Sequence, residues 1–413
     1  MRINRDSAVR EARVRVLQLG KFYPPQRGGM ESHLESLCTQ LQQEVDVAAI
    51  VSNTVPTTVR EMHEGVPVTR IGRLAQVNSV SVNPAMAASI RRHDADLIHL
   101  HWPNPMAALA YMLSGHRGKL VVSYHSDVIK QRISRRFFDP LLRVLLVRAK
   151  AIIVSSRNYF ETSPILRDYR DRCHVIPFGI REEYFAQPDE RAVKDIRSQY
   201  GDRLILSVGR LVEYKGFDYL IPAMLETQGR LLIAGEGPLK RQLVTLARSL
   251  GLHSRVVFFG ELPNERLRDL YHAADVFVLA STNRREAFGL VQAEAMSASK
   301  PVINTALDSG VPFVSVDGVT GLTVPHSDAR SLARAINRLM ENATLRLALG
   351  QAARRRAEDL FHAKTMSART LGIYWSALSS QPTTAGERPP FRARSGTMDS
   401  TVQACKLGQL DDR

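Results

Sequence analysis

One rhythm constrains this chain more than any other feature. Short runs of apolar residues alternate with stretches of helical periodicity, and the alternation occurs in two successive stretches. In the first, runs at 14–19, 45–51, 97–100, 120–124, 151–154 and 174–176 read as buried strands. Residues 30–43 carry Leu34, Leu37 and Leu41 on one helical face. In the second, strand runs fall at 204–208, 230–234, 256–259, 276–279, 301–303 and 322–324. Helical patterns at 217–225, 239–250, 264–273, 290–298 and 329–341 fill the gaps, and 344–360 and 363–378 are also predicted helical. Strands alternating with helices form βαβ units, which run their strands parallel and cover both faces of the sheet. The fold class predicted is therefore α/β, with two parallel sheets.

A chain of 413 residues exceeds what one hydrophobic core usually holds, which supports two domains. The predicted division is an extension at 1–13, a first domain at 14–185 and a second at 186–362. A helix at 363–379 is expected to cross back to the first domain. Residues 380–413 shift to Ser, Thr, Pro, Gly and Arg without apolar periodicity and read as a disordered tail.

The formal net charge is +15, which favours an anionic partner. No nucleic-acid reading motif and no interleaving of aromatic and basic residues points to DNA or RNA, so nucleic acid is not an expected partner. Cys38, Cys173 and Cys405 fit neither a zinc site nor a disulfide framework, which predicts a reducing, cytoplasmic setting. The first residues lack the apolar centre of a secretory leader, and no run of 18 apolar residues occurs. Membrane association is then expected to be peripheral at most, on the inner face of the plasma membrane.

Four constellations carry candidate chemistry. Gly28-Gly29 follows a strand and precedes a helix, where the backbone can approach an anion at free N–H groups; a plain turn uses the same residues. Gly209 to Gly216 ends the first strand of the second half and holds Arg210 and Lys215, two cations able to neutralise a diphosphate. The plain alternative is two solvated side chains. Gly235-Glu236-Gly237-Pro238 follows the next strand and could shape a nucleotide pocket; Lys240 stands where a dinucleotide motif needs a third glycine. Glu286 and Glu294 flank Gly289 and a helix start. On one helix they would stand about 12 Å apart, too far for the paired carboxylates of a glycosidase. That spacing suits grips on the two ends of a long ligand, with a diphosphate between them at the helix N-terminus; a cap and a surface Glu fit equally well.

Other features carry less. Asp94-Ala95-Asp96 resembles a metal-binding pair but precedes its strand, and a solvated strand entry explains it. His99 and His101 alternate on a strand without a third ligand, so one is expected in the core and one lining a pocket; no metal is expected. Residues 130–150 interleave Lys130, Arg132, Arg135, Arg136, Arg143, Arg148 and Lys150 with large apolar residues, a pattern suited to an anionic bilayer surface. The alternative, a core helix with a charged outer face, is preferred for its apolar side, and Pro140 interrupts it.

Taken together the motifs resemble family 4 glycosyltransferases. Glu286-x7-Glu294 followed by Lys300-Pro301-Val302-Ile303 matches the E-x7-E signature. Gly209-Arg210-Leu211, Lys215-Gly216, Gly235-Glu236-Gly237-Pro238 and Thr320-Gly321-Leu322 match in order. Tyr23-Pro24-Pro25, Gly28-Gly29-Met30-Glu31, His99-Leu100-His101 and Tyr124-His125 match in the first half. The resemblance implies the GT-B fold, two Rossmann-like domains with parallel sheets facing a central cleft. It implies transfer of a hexose, with retention and no metal or cofactor, from a GDP- or UDP-linked sugar. A glycan or polyprenyl-diphosphate-linked acceptor in bacterial polysaccharide, lipopolysaccharide or glycolipid synthesis is the expected partner, and mannose is one plausible sugar.

Residue by residue, the resemblance makes Arg210 and Lys215 holders of the diphosphate, Glu286 of the sugar hydroxyls and Glu294 of the ribose. Phe288, Gly289 and Leu290 offer backbone to the sugar phosphate. Gly209, Gly235 and Gly237 belong to the same donor site. Gly28 and Gly29 close over the phosphate, and His125 stands near the transferred sugar. Three positions depart from the family pattern: Ala287 and Ser299 stand where glycine is usual, and Ser309-Gly310-Val311 replaces Gly-Gly-Ile. The rival expectations are a nucleotide-sugar epimerase or phosphorylase on the same fold, and a non-catalytic polyanion- or polysaccharide-binding protein.

Overall fold

The computed structural model describes residues 13–26, 28–77, 80–126, 132–181 and 184–379. The tail at 380–413 and all but the last residue of the extension at 1–13 lie outside the described residues.

The first sheet contains β1 (Arg15–Leu19), β2 (Asp46–Ser52), β3 (Val59–His63) and β4 (Val66–Ile71). After a separate two-stranded ribbon, β5 (Ala75–Val77) and β6 (Val80–Val82), it continues with β7 (Leu97–Trp102), β8 (Lys119–Tyr124), β9 (Ala151–Val154) and β10 (Cys173–Val175). Its order is β10-β9-β8-β7-β1-β2-β4-β3, and only β3 runs antiparallel to its neighbour. The second sheet contains β11 (Leu204–Val208), β12 (Arg230–Ala234), β13 (Val256–Gly260), β14 (Val276–Val278), β15 (Val302–Thr305) and β16 (Gly321–Val324). Its order is β13-β12-β11-β14-β15-β16, parallel throughout. Both sheets therefore reverse their winding direction beside their first strand, between β1 and β7 and between β11 and β14. Carboxyl ends of strands at such a reversal leave a crevice open to ligand.

The strands predicted from apolar runs are present within a residue or two of their expected bounds. Those the runs did not reveal are β3 to β6. Val59, Arg60, Glu61 and Met62 are all exposed, so β3 has no apolar run to betray it, and its charge is what an edge strand needs to discourage further pairing. Glu64 and Gly65, both with left-handed φ (45° and 82°), make the tight turn to β4. Five α-helices among the described residues also went unread, two of them short, Arg157–Thr162 and Val311–Val314. Helix Pro105–Ser114 starts where Asn104 accepts the Ala107 N–H at 3.2 Å and stops at left-handed Gly115. Helix Glu190–Tyr200 is capped by Asp189, so the crossing expected over 180–195 ends there. Helix Met86–Arg92 is two turns long.

Each sheet is covered on both faces by helices, which is why its interior strands are largely apolar. Helix Ala363–Leu378 packs on helix Gly29–Leu41, placing Met366 and Tyr374 in the core around β1 and β2. The two halves meet through Phe178 on Phe288, with ring centres 4.9 Å apart, and through Arg284, whose Nη1 donates to the Thr162 carbonyl at 3.3 Å. In the helix Arg132–Arg148, Leu142, Leu145 and Leu146 are buried while Val144 and Val147 stay exposed beside Arg143 and Arg148.

Candidate active site

At the end of β11 the chain turns through Gly209, passes the exposed Arg210 and makes one helical turn at Glu213–Lys215. Gly216 then reverses it with φ 70°; a Cβ there would run into the Ala280 carbonyl. This reversal folds Lys215 back under Gly209 and toward the loop after β14. There its Nζ lies 2.5 Å from Glu286 Oε2, which also accepts the Ser281 hydroxyl at 2.9 Å. Glu286 precedes the helix Leu290–Ser297, whereas Glu294 lies within it, so the single-helix spacing of the two acids does not apply. Glu294 accepts a hydrogen bond from the Tyr271 hydroxyl at 2.7 Å. Burial pushes its carboxyl up to about 7, against the pull of that bond and of Lys215. Burial also works against the charge on Lys215, but Glu286, Tyr214 and Glu294 outweigh it and raise its pKa. One cation thus serves both acids.

Glycines here have separate reasons. Gly289 has φ 74°, and a Cβ would meet Leu279 at 2.6 Å. Gly235 and Gly237 are required by packing: a Cβ at either would strike the backbone of Gly209 or Leu211, and the Leu211 N–H donates to Glu236 O at 2.9 Å. Phe288 turns its ring into the core against Phe178 and Phe361, and Leu290 is also buried, leaving only their backbone to face a ligand. Ala287 has no left-handed φ and packs on the first half's core, so glycine is not required there. Ser299 does have left-handed φ, 59°, which explains why glycine suits that position. Ser309 accepts the Val311 N–H at 3.3 Å, taking over the turn from a glycine.

Across the crevice, helix Gly29–Leu41 opens at Gly28-Gly29. A Cβ on Gly29 would meet nothing within 4 Å, so no protein contact demands glycine there. Glu31 folds its carboxylate back beneath Gly28 and is buried, which raises its pKa; Lys21 and Arg210 pull it down. Arg210 belongs to the second half, so this trio spans the seam between the two switch points. Lys21 and Glu31 were not singled out as site residues; the Glu31 signal lay in its place two residues after Gly29.

His125 sits at the end of β8 in a cluster of four buried histidines with His33, His99 and His101. Burial pulls all four below the usual imidazole range, His99 and His125 to about 3, so all are neutral near pH 7. One of His99 and His101 was expected to line a pocket, but both are buried, His101 being 3% exposed. They lie on the same face of β7, because residues two apart on a strand share a face. His33, His101 and His125 bring ring nitrogens within 4.8 Å of one another, the donor type that suits a transition metal. However, His101 Nδ1 and His125 Nε2 are 2.9 Å apart, a hydrogen bond, whereas two nitrogens on one tetrahedral zinc stand about 3.3 Å apart. The arrangement fits a proton between them better than an ion. Asp94 and Asp96 both pair with Arg15, Asp96 at 2.9 Å, which accounts for them without a metal.

Comparison with known proteins matches the first and second parts of the chain separately. Residues 27–184 match the family described as Glycosyltransferase Family 4, and residues 188–356 match Glycosyl transferases group 1. The O-antigen chain mannosyltransferase C of Escherichia coli is 31% identical over 89% of this chain and 100% of its own length. The D-rhamnosyltransferase WbpZ of Pseudomonas aeruginosa is 33% identical over 65% of this chain and 71% of its own. Among solved structures, Anabaena HepE in complex with UDP and glucose superposes with a TM-score of 0.71 at 20% identity, covering 88% of this chain and 100% of that one. That likeness establishes the GT-B fold. An O-antigen mannosyltransferase aligned along its whole length, and motifs drawn together at two facing switch points, lead to one conclusion: the chain belongs to the family 4 glycosyltransferases.

Proposed function

We propose that this enzyme moves a hexose, mannose being the leading candidate, from a nucleoside diphosphate sugar to a glycan or polyprenyl-diphosphate-linked acceptor. The observation that carries the reading is Lys215 held between Glu286 and Glu294 in the crevice where Arg210 faces Glu31 and Lys21. Arg210 and Lys215 would hold the diphosphate, Glu286 the sugar hydroxyls and Glu294 the ribose. Gly28 and Gly29 would close over a phosphate at their helix N-terminus, where Gly29 leaves open space. On this reading residues 186–362 form the donor half and 14–185 the acceptor half, and the base is guanine or uracil.

In the mechanism, the acceptor hydroxyl approaches on the face that the diphosphate leaves. The bond from sugar C1 to the phosphate oxygen breaks, the bond to the acceptor oxygen forms, and the phosphate oxygen takes the acceptor's proton. The two cations stabilise the charge developing on the diphosphate. Glu286, engaged with Lys215 and Ser281, orients the sugar and forms no covalent intermediate. Retention of configuration follows from this same-face path. The O-antigen relative supports a surface-polysaccharide acceptor, and HepE, crystallised with UDP, supports a nucleotide-linked donor. The test is a panel of nucleotide sugars with a lipid extract, following nucleoside diphosphate release and product mass. Release that no donor supports, or wild-type turnover by Glu286→Ala, rejects the proposal.

The described residues include no helix long and apolar enough to cross a membrane. We place the acceptor's anionic lipid at the outer face of helix Arg132–Arg148, where exposed Val144 and Val147 stand beside Arg143 and Arg148.

A further inference from the structure

Three of the four buried histidines, His99, His101 and His125, are tied to two residues that no motif includes. Gln18 Nε2 donates to the Tyr374 hydroxyl at 2.9 Å, and Gln18 Oε1 lies 2.9 Å from His101 Nε2. The Tyr374 hydroxyl lies 2.6 Å from His99 Nδ1, and His99 Nε2 lies 2.8 Å from Ser123 Oγ. His101 Nδ1 then meets His125 Nε2 at 2.9 Å. These contacts form one chain, and its proton directions are not independent.

A carbonyl oxygen only accepts, so His101 must donate from Nε2 to Gln18 Oε1. His101 Nδ1 is then bare, and His125 must donate from Nε2. Tyr374 accepts from Gln18, so its own proton goes to His99 Nδ1. The two rings of the His101–His125 pair are 9° from parallel with centres 5.1 Å apart. The nitrogen separation accounts for most of that distance, so the rings meet edge to edge, along the lone pair. Reversing the Gln18 amide reverses every bond and leaves His125 with a buried N–H at Nδ1. Nδ1 has no partner among the described residues, and a buried orphan N–H is rarer than a buried bare acceptor. Both ring nitrogens of His33 are also buried without a partner, and its ring centre lies 5.1 Å from that of His125.

We propose that Gln18 and Tyr374 are positioning residues for the transfer reaction. Acting through His101, they hold His125 as the Nε2–H tautomer, so that its bare Nδ1 accepts a hydrogen bond from a substrate hydroxyl. His33, with one N–H to give, is the matching donor to the same hydroxyl. A hydroxyl both donates and accepts, so it satisfies His125 Nδ1 and the N–H of His33 together; an ionised carboxylate cannot donate to Nδ1. The inference rests on the placement of His125 beside the transferred sugar. It adds the tautomer, the residues that impose it and the class of group received.

The tautomer is read directly by nitrogen NMR of the full chain labelled in histidine, with the His125 signals identified by their loss in His125→Asn. The expected wild-type spectrum shows His125 protonated at Nε2 and bare at Nδ1. Tyr374→Phe removes the acceptor that orients the Gln18 amide. It should populate the other His125 tautomer and lower kcat about tenfold, the scale of one buried hydrogen bond, with little change in donor KM. Gln18→Leu should do the same. Turnover is measured with whichever of GDP-mannose and UDP-glucose the enzyme consumes. Protonation of wild-type His125 at Nδ1 overturns the relay, as does an unchanged His125 signal in both variants. Wild-type turnover by His125→Asn overturns the substrate contact and the site reading with it, whatever the spectra show.

Discussion

Lys215 Nζ lies 2.5 Å from Glu286 Oε2, and both side chains are about nine-tenths buried (11% and 10% exposed). A buried pair of this kind is costly to split, because the partner left behind keeps its charge without compensation. Lys215→Met should therefore lower stability by about 3–5 kcal/mol as well as abolish transfer. The double variant Lys215→Met with Glu286→Gln should recover most of that stability and none of the activity. Chemical denaturation beside a nucleoside diphosphate release assay checks both. Equal loss of stability in the single and double variants would contradict the pairing.

Glu294 gives a pH dependence of defined sign. Its carboxyl is raised from 4.5 to about 7 in the folded protein. The folded state then holds a proton that the unfolded state has lost between those values. The stability this contributes is full below pH 4.5 and disappears as pH rises through 7. Glu294→Gln keeps the protonated shape at every pH. It should match wild type near pH 5 and exceed it by about 1–3 kcal/mol near pH 8.5. Thermal melts of the two proteins across that range are the measurement.

Ser299 holds a left-handed backbone, φ 59°, just past the end of helix Leu290–Ser297. Ser299→Gly should relieve that strain and raise stability by about 1 kcal/mol without altering turnover. The opposing control is Gly289→Ala at φ 74°, where the new methyl meets Leu279 at 2.6 Å. It should destabilise the fold.

Two glycines separate ligand room from packing. A Cβ on Gly29 meets nothing, whereas one on Gly237 strikes the Leu211 backbone. Gly29→Val should leave the melting temperature near that of wild type while raising donor KM about tenfold or more, by filling space a phosphate would use. Gly237→Ala should lower the melting temperature by several degrees through the clash alone.

Val144 and Val147 are 46% and 64% exposed on a helix that also carries Arg143 and Arg148. Arg143→Glu with Arg148→Glu should weaken sedimentation with phosphatidylglycerol vesicles about tenfold or more, from the loss of about 1 kcal/mol per cation. Binding to phosphatidylcholine vesicles should stay weak in both proteins. Equal binding of the two proteins to anionic vesicles would remove this helix from the acceptor site.

The strands and most helices were legible because they depend on local patterns. A strand buried on both faces is apolar at nearly every position, as Ala151 to Val154 are, and a covering helix repeats its apolar face, as Leu34, Leu37 and Leu41 do. The exposed edge strand at Val59–His63 escaped for the same reason, since water leaves its composition unconstrained. The candidate site motifs were legible because most of them follow directly on a strand end, where chain direction alone decides what faces the crevice.

The partnerships were decided only by the folded chain. Lys215 reaches Glu286 because Gly216 turns it back, and Arg210 comes near enough to Glu31 to favour its charged form because two separate sheets place their switch points opposite each other. Gln18 finds Tyr374 at a separation of 356 residues, through a terminal helix that returns to the first half. Periodicity reports whether a position is buried or exposed. It does not report which distant side chain will share that burial, and in the low dielectric of a core it is the partner that decides protonation and charge.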